Sequence, residues 1–265
     1  MNDGTITSGV RELELPGGAI EYEQWPARGD RDGDAPLVLL HEGLGSRALW
    51  RGFPRALHEA TGRRVFVYSR HGYGRSAVVR EPRSVEYMHH EADVVLPQLL
   101  ERSGLHAPVL LGHSDGASIA LLHAGRDDAD VRGLVLLAPH VVVEDVSIRG
   151  IEAAREAYRT TALPERMARY HRDADATFWG WNDIWLAPEF RSWDITDRLP
   201  AIDAPVLVVQ GEDDEYGTTR QLELIEAGTA GPFEGLLLPD CRHAPHLDQP
   251  DATLAAVRSF LASCP

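Results

Sequence analysis

The sequence predicts a single α/β domain built on a mostly parallel sheet, with an α-helical insertion. Short apolar runs rich in Val and Leu alternate with helix-like stretches, as in a chain of βα units. This alternation is interrupted between residues 140 and 204. The runs are apolar at successive positions, as expected for parallel strands buried on both faces by helices. The length of 265 residues and a composition of 43% hydrophobic and 25% charged residues suit one globular core.

The predicted strands follow one another in a regular order. An antiparallel hairpin comes first, over residues 12–25, because Pro16, Gly17 and Gly18 supply a turn between two alternating segments. Functional groups on a parallel sheet gather on the loops at the carboxyl ends of its strands, so the chemistry is expected there. The apolar strands are predicted at residues 36–40, 64–68, 108–111, 133–137, 205–209 and 235–238.

The insertion is predicted to be a helical cap. Residues 148–172 have a helix-like pattern, and an aromatic segment follows at residues 178–185. The strand–helix rhythm resumes at Pro205 and ends in a helix over residues 249–263. This organisation predicts a core of residues 1–139 and 205–265, interrupted by a cap of residues 140–204.

The net charge of the chain and the lack of targeting or membrane-spanning segments limit which binding partners are expected. The 26 basic and 41 acidic residues give a net charge of −15, which repels nucleic acids and anionic lipids. Residues 1–8 lack signal-peptide features, and no apolar run approaches the ~18 residues that span a bilayer. Cys241 and Cys264 show no metal-binding or disulfide-framework spacing. We expect a cytoplasmic monomer or homodimer that binds a small molecule, and neither nucleic acid nor membrane.

The strand at residues 108–111 runs into the pattern G-x-S-x-G at residues 112–116, and a helix-like stretch follows. The two glycines permit a turn too tight for side chains, with the serine at its apex. The amino end of the following helix would favour negative charge on an attacked carbonyl. A purely structural turn is the alternative, but the position between strand and helix predicts that Ser114 is a nucleophile.

A serine hydroxyl needs a base, and the base needs a carboxylate that orients its ring. Acidic residues 212–215 follow the strand at residues 205–209, and His243 follows the last strand. With these motifs the chain resembles, over nearly its whole length, the α/β-hydrolase superfamily and in particular its serine hydrolases with a helical cap. The resemblance implies the α/β-hydrolase fold and a catalytic triad of Ser114, Asp214 and His243.

Alternatives remain open for two triad members. Asp213 adjoins Asp214 and is a second candidate for the acid, and His246 is a second candidate for the base. Glu144 or Asp145, after an earlier strand, supplies the acid if this chain follows the family members that place it there.

The resemblance also implies an oxyanion hole formed by the backbone N–H groups of Gly43 and Asp115. Gly43 lies in residues 41–46, which correspond to the oxyanion loop of the family, but Glu42 stands where a glycine is common. A carboxylate aimed at the site would oppose an oxyanion. We therefore expect Glu42 to turn away from the pocket or to pair with an arginine such as Arg70.

Aromatic residues of the cap are candidate substrate contacts. Most of them are expected to pack the cap onto the core, and one or two to line an apolar pocket for an acyl or aromatic group. No metal-ligand spacing and no nucleotide-binding glycine pattern is present, so neither a metal nor a cofactor is expected. The candidate substrate-binding residues are Glu42, His113, Tyr158, Trp179, Trp181 and Trp185.

The function expected from this pattern is hydrolysis of a carboxylic ester or related acyl bond through an acyl-enzyme. By family resemblance, the same triad also serves hydrolysis of a C–C bond in a vinylogous diketone or of a lactone, and these are the main alternatives. A receptor-like, ligand-binding protein with a vestigial triad is a third hypothesis.

Overall fold

The strands form one eight-stranded sheet within the described part of the chain. The computed structural model describes residues 9–264, so residues 1–8, which bear on the signal-peptide expectation, lie outside it. The strands are β1 Arg11–Leu15, β2 Gly18–Trp25, β3 Leu37–Leu40, β4 Val65–Tyr68, β5 Val109–His113, β6 Gly133–Leu137, β7 Val206–Gly211 and β8 Phe233–Leu238. Each predicted strand is present, with ends shifted by at most two residues.

The strand order across the sheet is β1-β2-β4-β3-β5-β6-β7-β8. The predicted hairpin is confirmed: β1 and β2 are antiparallel, and Leu15 pairs with Gly18 across a turn in which Gly17 has a φ of +101°. β2 is also antiparallel to β4, whereas the remaining neighbours from β4 to β8 are parallel. The fold is therefore the mostly parallel α/β arrangement that the apolar runs predicted.

Helices cover both faces of this sheet. Leu37 and Leu39 of β3 pack in one apolar cluster, while Val38 and Leu40 pack in the other. A π-helical turn, Glu91–Val95, joins α2 to α3. The α-helices are α1 Phe53–Thr61, α2 Tyr87–His90, α3 Leu96–Ser103, α4 Asp115–Ala124, α5 Asp145–Thr160, α6 Leu163–Met167, α7 Ala174–Trp185, α8 Thr219–Gly228, α9 Pro245–Asp248 and α10 Pro250–Ser263.

The segment between β6 and β7 contains α5, α6 and α7, followed by two short 3₁₀ helices. The single helix predicted over residues 148–172 is wrong in extent, because α5 ends at Thr160 and α6 begins at Leu163. Pro164 has no N–H for the carbonyl of Thr160, so the helix cannot continue. The Thr161 hydroxyl donates to the carbonyl of Ala157 at 2.7 Å, which satisfies part of the last turn.

The lengths of the helices can be compared with the length that is needed to span a membrane. Between residues 9 and 264, no helix has both the length and the apolar character required to cross a bilayer.

Helix α4 lies unusually close to β3, and this closeness positions the turn that precedes the helix. A Cβ atom on Gly116 would collide with the carbonyl oxygen of Leu40 and lie 2.7 Å from that of His41. Every residue of α4 is buried. Glycine is therefore required at this helix–sheet contact.

We expect Gly116→Ala to destabilise the protein by roughly 1–3 kcal/mol, because backbone atoms cannot give way as a flexible side chain can. The matched control is Gly52→Ala, since Gly52 has helical φ and ψ and an added Cβ would meet no atom within 4 Å. Urea unfolding of both variants measures the difference. Equal midpoints would show that α4 can move away from the sheet without cost.

Candidate active site

The carboxyl ends of β3, β5, β6, β7 and β8 lie side by side, and the loops that follow them meet α5 and α7 around one cavity. Its volume is about 110 Å³. The cavity is lined by Glu42, Gly43, Leu44, Ser114, Asp115, His140, Ser147, Ile151, Trp181, Trp185, Tyr216 and His243. Residues far apart in the sequence are thus brought together at the edge where chemistry was expected.

Ser114 occupies the turn between β5 and α4. Its φ of +52° and ψ of −118° are unusual for a residue other than glycine, and such a conformation costs about 1–3 kcal/mol. The turn also needs Gly112, because a Cβ there would lie 2.5 Å from the backbone nitrogen of Ala117. The surrounding packing therefore holds Ser114 at the apex, facing the cavity.

The imidazole of His243 is held by Asp214. Nδ1 of His243 lies 2.8 Å from Oδ1 of Asp214, and because a carboxylate accepts, Nδ1 carries the proton. Asp214 also accepts from the backbone N–H of Tyr216 at 2.9 Å, and its side chain is only 1% exposed. Burial would raise the pKa of Asp214, but the attraction of His243 outweighs burial and lowers that pKa to about 2. The carboxylate is therefore ionised and orients the ring.

The electrostatic surroundings of His243 favour its protonated form. Burial lowers the pKa of His243, but the charge of Asp214 and the hydrogen bond to it outweigh burial, so this pKa lies above its ordinary value. The backbone N–H of His243 donates to Glu215 at 3.2 Å, which secures the loop. With Nδ1 bonded to Asp214, Nε2 is the nitrogen left to exchange a proton with a group in the cavity.

The alternative acids and base lie away from this pair. Asp213 and Asp145 are exposed, and the carboxylate of Glu144 accepts hydrogen bonds from the N-cap residue of α8. The ring of His246 packs against Trp50 at a centroid distance of 4.7 Å. The structure therefore brings Asp214, and none of these alternatives, into contact with the imidazole of His243.

The peptide unit between Glu42 and Gly43 is fixed by three hydrogen bonds. The carbonyl of Glu42 accepts from His41 Nδ1 at 2.7 Å, from the Arg70 guanidinium at 3.1 Å and from the backbone N–H of Gly45 at 3.1 Å. In a trans peptide the N–H points opposite to the C=O. The N–H of Gly43 is therefore directed away from Arg70, and Gly43 lines the cavity.

The expectation for the side chain of Glu42 is wrong. Glu42 lines the cavity instead of turning away, and its Oε2 lies 3.5 Å from Nδ1 of His113. Arg70 is buried nearby, but its guanidinium bonds to the carbonyls of His41 and Glu42 rather than to the carboxylate. Burial opposes ionisation of Glu42, yet the contact with His113 outweighs it and holds the Glu42 pKa well below its usual range.

Of the four aromatic residues predicted to contact substrate from the cap, two line the cavity and two do not. Trp181 and Trp185 line the cavity because they are one turn apart on the same face of α7. Tyr158 and Trp179 do not reach it, so their prediction as substrate contacts is not supported by their positions. Tyr158 stacks on Phe178 at a centroid distance of 3.8 Å, and Trp179 lines a separate surface groove of about 680 Å³.

Asp115 combines two features at this site. Its backbone N–H lies at the start of α4, and its buried carboxylate accepts from the Tyr87 hydroxyl at 2.6 Å. The indole N–H of Trp185 donates in turn to Tyr87 at 3.0 Å. Burial raises the pKa of Asp115. This chain of bonds ties α7 to the turn that carries Ser114, and no local pattern in the sequence marks Tyr87 for that role.

Several of the residues that line the cavity were not identified in the sequence analysis. His140 follows β6, and burial lowers its pKa to about 4, so it is neutral near pH 7. Its place just past a strand end is a signal that could have identified it. Tyr216 lies with its ring 4.7 Å from that of His243, and Ser147 and Ile151 lie one turn apart on α5. Only the packing of α5 on the core identifies these last two.

The arrangement of the His, Cys, Asp and Glu side chains also bears on metal binding. Within residues 9–264, no three of them are grouped closely enough to hold a metal ion.

The fold and the site together define a class of protein, an α/β enzyme with a serine on a strained strand-to-helix turn beside a histidine–aspartate pair. Residues 37–257 match the Alpha/beta hydrolase family, and the chain belongs to that family.

The relatives differ widely in their named activities. A non-heme chloroperoxidase from Streptomyces lividans is 28% identical, over 97% of this chain and 100% of the relative. A proline iminopeptidase from Levilactobacillus brevis is 25% identical, over 86% of this chain and 88% of the relative. The solved enol-lactonase of Burkholderia xenovorans LB400 aligns with a TM-score of 0.73 and 21% identity, over 95% of this chain and 100% of the other, and shows the fold. The family thus establishes a hydrolase but not its substrate.

We expect the rate of hydrolysis to have an acid limb with a midpoint above ~6.5, because the pKa of His243 is raised and only neutral His243 accepts a proton. Asp214→Asn removes the attraction that raises this pKa, so the midpoint of kcat/KM should move to lower pH. Its kcat should fall on the order of 10⁴-fold. Asp213→Asn, which changes an exposed neighbour, is the matched control. An unshifted midpoint in Asp214→Asn would contradict this pairing.

Proposed function

We propose that the protein is a serine hydrolase that cleaves esters of short, uncharged acyl groups through a covalent acyl-enzyme. In this proposal Ser114 is the nucleophile, His243 the general base and acid, and Asp214 the residue that orients the imidazole. One observation carries it: Ser114, at the apex of its strained turn, and His243, held by Asp214 at 2.8 Å, line the same cavity.

The reaction begins when Oγ of Ser114 attacks the carbonyl carbon of the ester while Nε2 of His243 takes the hydroxyl proton. The carbonyl π electrons move to the oxygen, and a tetrahedral oxyanion forms. Its collapse breaks the bond to the alcohol oxygen, which receives the proton from His243. Water then attacks the acyl-enzyme in the same way, and the carboxylic acid leaves as Ser114 recovers its proton.

The proposed oxyanion donors are the backbone N–H groups of Gly43 and Asp115. The three hydrogen bonds on the carbonyl of Glu42 hold the first donor in place. The second donor lies at the amino end of α4, where the helix dipole favours negative charge. Each such donor contributes roughly 3–4 kcal/mol to stabilisation of a transition state.

The size of the cavity favours a short acyl group. Its volume is about 110 Å³, smaller than the ~150 Å³ of a cavity that holds one benzene molecule, so there is room for roughly two to four carbons beside the reacting carbonyl. Leu44, Ile151, Trp181 and Trp185 supply apolar walls.

The charge of the lining favours an uncharged group. Among the described residues that line the cavity, Glu42 is ionised and no Arg or Lys is present. An anionic acyl group would meet this carboxylate and be repelled by it.

We expect the wild type to hydrolyse p-nitrophenyl esters with a maximum between acetyl and butyryl in a series that extends to decanoyl. Ser114→Ala should lose turnover on the order of 10⁶-fold, because the attacking oxygen is removed. Ser192→Ala, an exposed serine, is the matched control. Full turnover by Ser114→Ala would place the nucleophile elsewhere.

The same assay separates the alternatives. A folded wild type that cleaves no ester is next assayed with a lactone, with a vinylogous diketone and, because of the named relatives, with prolyl p-nitroanilide. Turnover of one of these, lost in Ser114→Ala, would keep the triad and replace the substrate class. Binding without turnover would favour the receptor-like hypothesis.

Trp181 should limit the length of the acyl chain. Its indole contacts Gly43 so closely that a Cβ on the glycine would collide with the indole nitrogen. Trp181→Ala removes this wall, and the preferred ester should become longer by several carbons. Trp179→Ala, on another face of α7, should leave the preference unchanged. Identical chain-length profiles in wild type and Trp181→Ala would show that the acyl group lies elsewhere.

A further inference from the structure

His140 has no part in the proposed reaction, although its side chain lines the cavity and is almost completely buried. Within residues 9–264, no protein group forms a hydrogen bond with either nitrogen of its ring, and Nδ1 is fully buried. Nε2 keeps some accessible surface, so it is the nitrogen that a molecule in the cavity can reach. Because buried polar atoms are usually paired, an imidazole without a protein partner at this place points to a ligand.

The backbone around His140 is held by the core. Ala138, two residues earlier, has a φ of +47°, which is uncommon for a residue other than glycine. The carbonyl of His140 accepts from the Ser118 hydroxyl at 2.6 Å, and the N–H of Val141 donates to the side chain of Gln221 at 2.7 Å. Ser118 and Gln221 are themselves buried. The ring therefore stands at a fixed place, which is what a substrate contact requires.

The ring of His140 is neutral near pH 7. Burial is the main cause that lowers its pKa to about 4, and His243 and His113 lower it further, whereas Asp214 and Glu144 raise it. A neutral imidazole carries one N–H and one lone pair. His140 therefore offers the cavity a hydrogen-bonding group without adding charge.

The neighbours of His140 indicate which part of the substrate it meets. Its ring makes an edge contact with Trp185 at a centroid distance of 5.4 Å, and it lies 5.6 Å from the ring of His243. Trp185 is a wall of the proposed acyl site. The ring of His140 thus borders the space for the acyl chain, beside the general base.

We propose that His140 is a specificity-determining residue that hydrogen-bonds a hydroxyl group on the acyl chain of the substrate. The inference rests on the proposed function and names its substrate class, esters of short hydroxy acids. A hydroxyl group can donate or accept, so it pairs with Nε2 in either tautomer of the ring. It also carries no charge that the ionised Glu42 would repel.

The kinetic test compares the ethyl esters of 3-hydroxybutyrate and butyrate, with acid release followed in a pH-stat. We expect the wild type to hydrolyse the hydroxy ester with a kcat/KM at least about tenfold higher, because the other ester leaves Nε2 unpaired. His140→Phe keeps a ring against Trp185 without its nitrogens, so this preference should disappear. His140→Gln should restore part of it, because its amide can reach the position of Nε2.

His106→Phe is the matched control, because His106 is exposed and should not affect the preference. Equal kcat/KM values for the two esters in the wild type would overturn the proposal, and so would a preference that survives in His140→Phe. A preference that is lost in His140→Phe and not recovered in His140→Gln would assign the effect to packing, which also overturns it.

A binding measurement separates this inference from the proposed function. Ser114→Ala is titrated with 3-hydroxybutyramide and with butyramide, and the fluorescence of Trp181 and Trp185, which line the cavity, reports binding. We expect the hydroxy amide to bind at least about fivefold more tightly, and this difference to vanish when His140→Phe is added. Equal affinities, or binding of neither amide, overturn the inference. A wild type without ester turnover refutes the proposed function, but the titration still decides the role of His140.

If His140→Phe does not fold, ¹⁵N NMR of the full-length protein with labelled histidine takes its place. The Nε2 signal of His140 is assigned by its loss in His140→Gln. We expect 3-hydroxybutyramide to shift this signal and butyramide to leave it unchanged. The same shift with both amides overturns the inference.

Discussion

The turn at Ser114 is the constraint on which the rest of the site depends. Its positive φ is held because β5 pairs with its neighbours on one side while α4 leaves immediately on the other, pressed against β3 at Gly116. A conformation that costs about 1–3 kcal/mol persists only where the surroundings overdetermine it. The parallel neighbours β3, β6, β7 and β8 then end beside this turn, so their loops bring Gly43, His140 and His243 to the same cavity and Asp214 into contact with His243.

The ionisable groups around the turn are held by short hydrogen bonds. Asp214 is bonded to His243, the carboxylate of Asp115 accepts from Tyr87, and the guanidinium of Arg70 donates to backbone carbonyls of the oxyanion loop. Buried polar groups without partners are costly, so each of these contacts also restricts where its loop can lie. The side chains that bind the ionisable groups of the site therefore also fix the positions of its loops.

The helices between β6 and β7 supply part of the lining of the cavity. Trp181 and Trp185 on α7, together with Ile151 on α5, line the cavity of about 110 Å³ that Ser114 also lines. Trp185 is also bonded through Tyr87 to the core, which limits how far α7 can move. A shared fold does not define a substrate, and the relatives named as a chloroperoxidase, a proline iminopeptidase and an enol-lactonase illustrate this.

The sequence by itself determined the strands, the hairpin, the strand–turn–helix at Ser114 and the order of the candidate acid and base, because apolar periodicity and glycine turns are local properties. Only the tertiary structure decided that Asp214 rather than Asp213 meets His243, that Glu42 faces His113 rather than Arg70, and that Trp181 and Trp185 rather than Tyr158 and Trp179 line the cavity. The direction of a side chain on a loop or helix depends on what packs against it, and those neighbours come from distant parts of the chain.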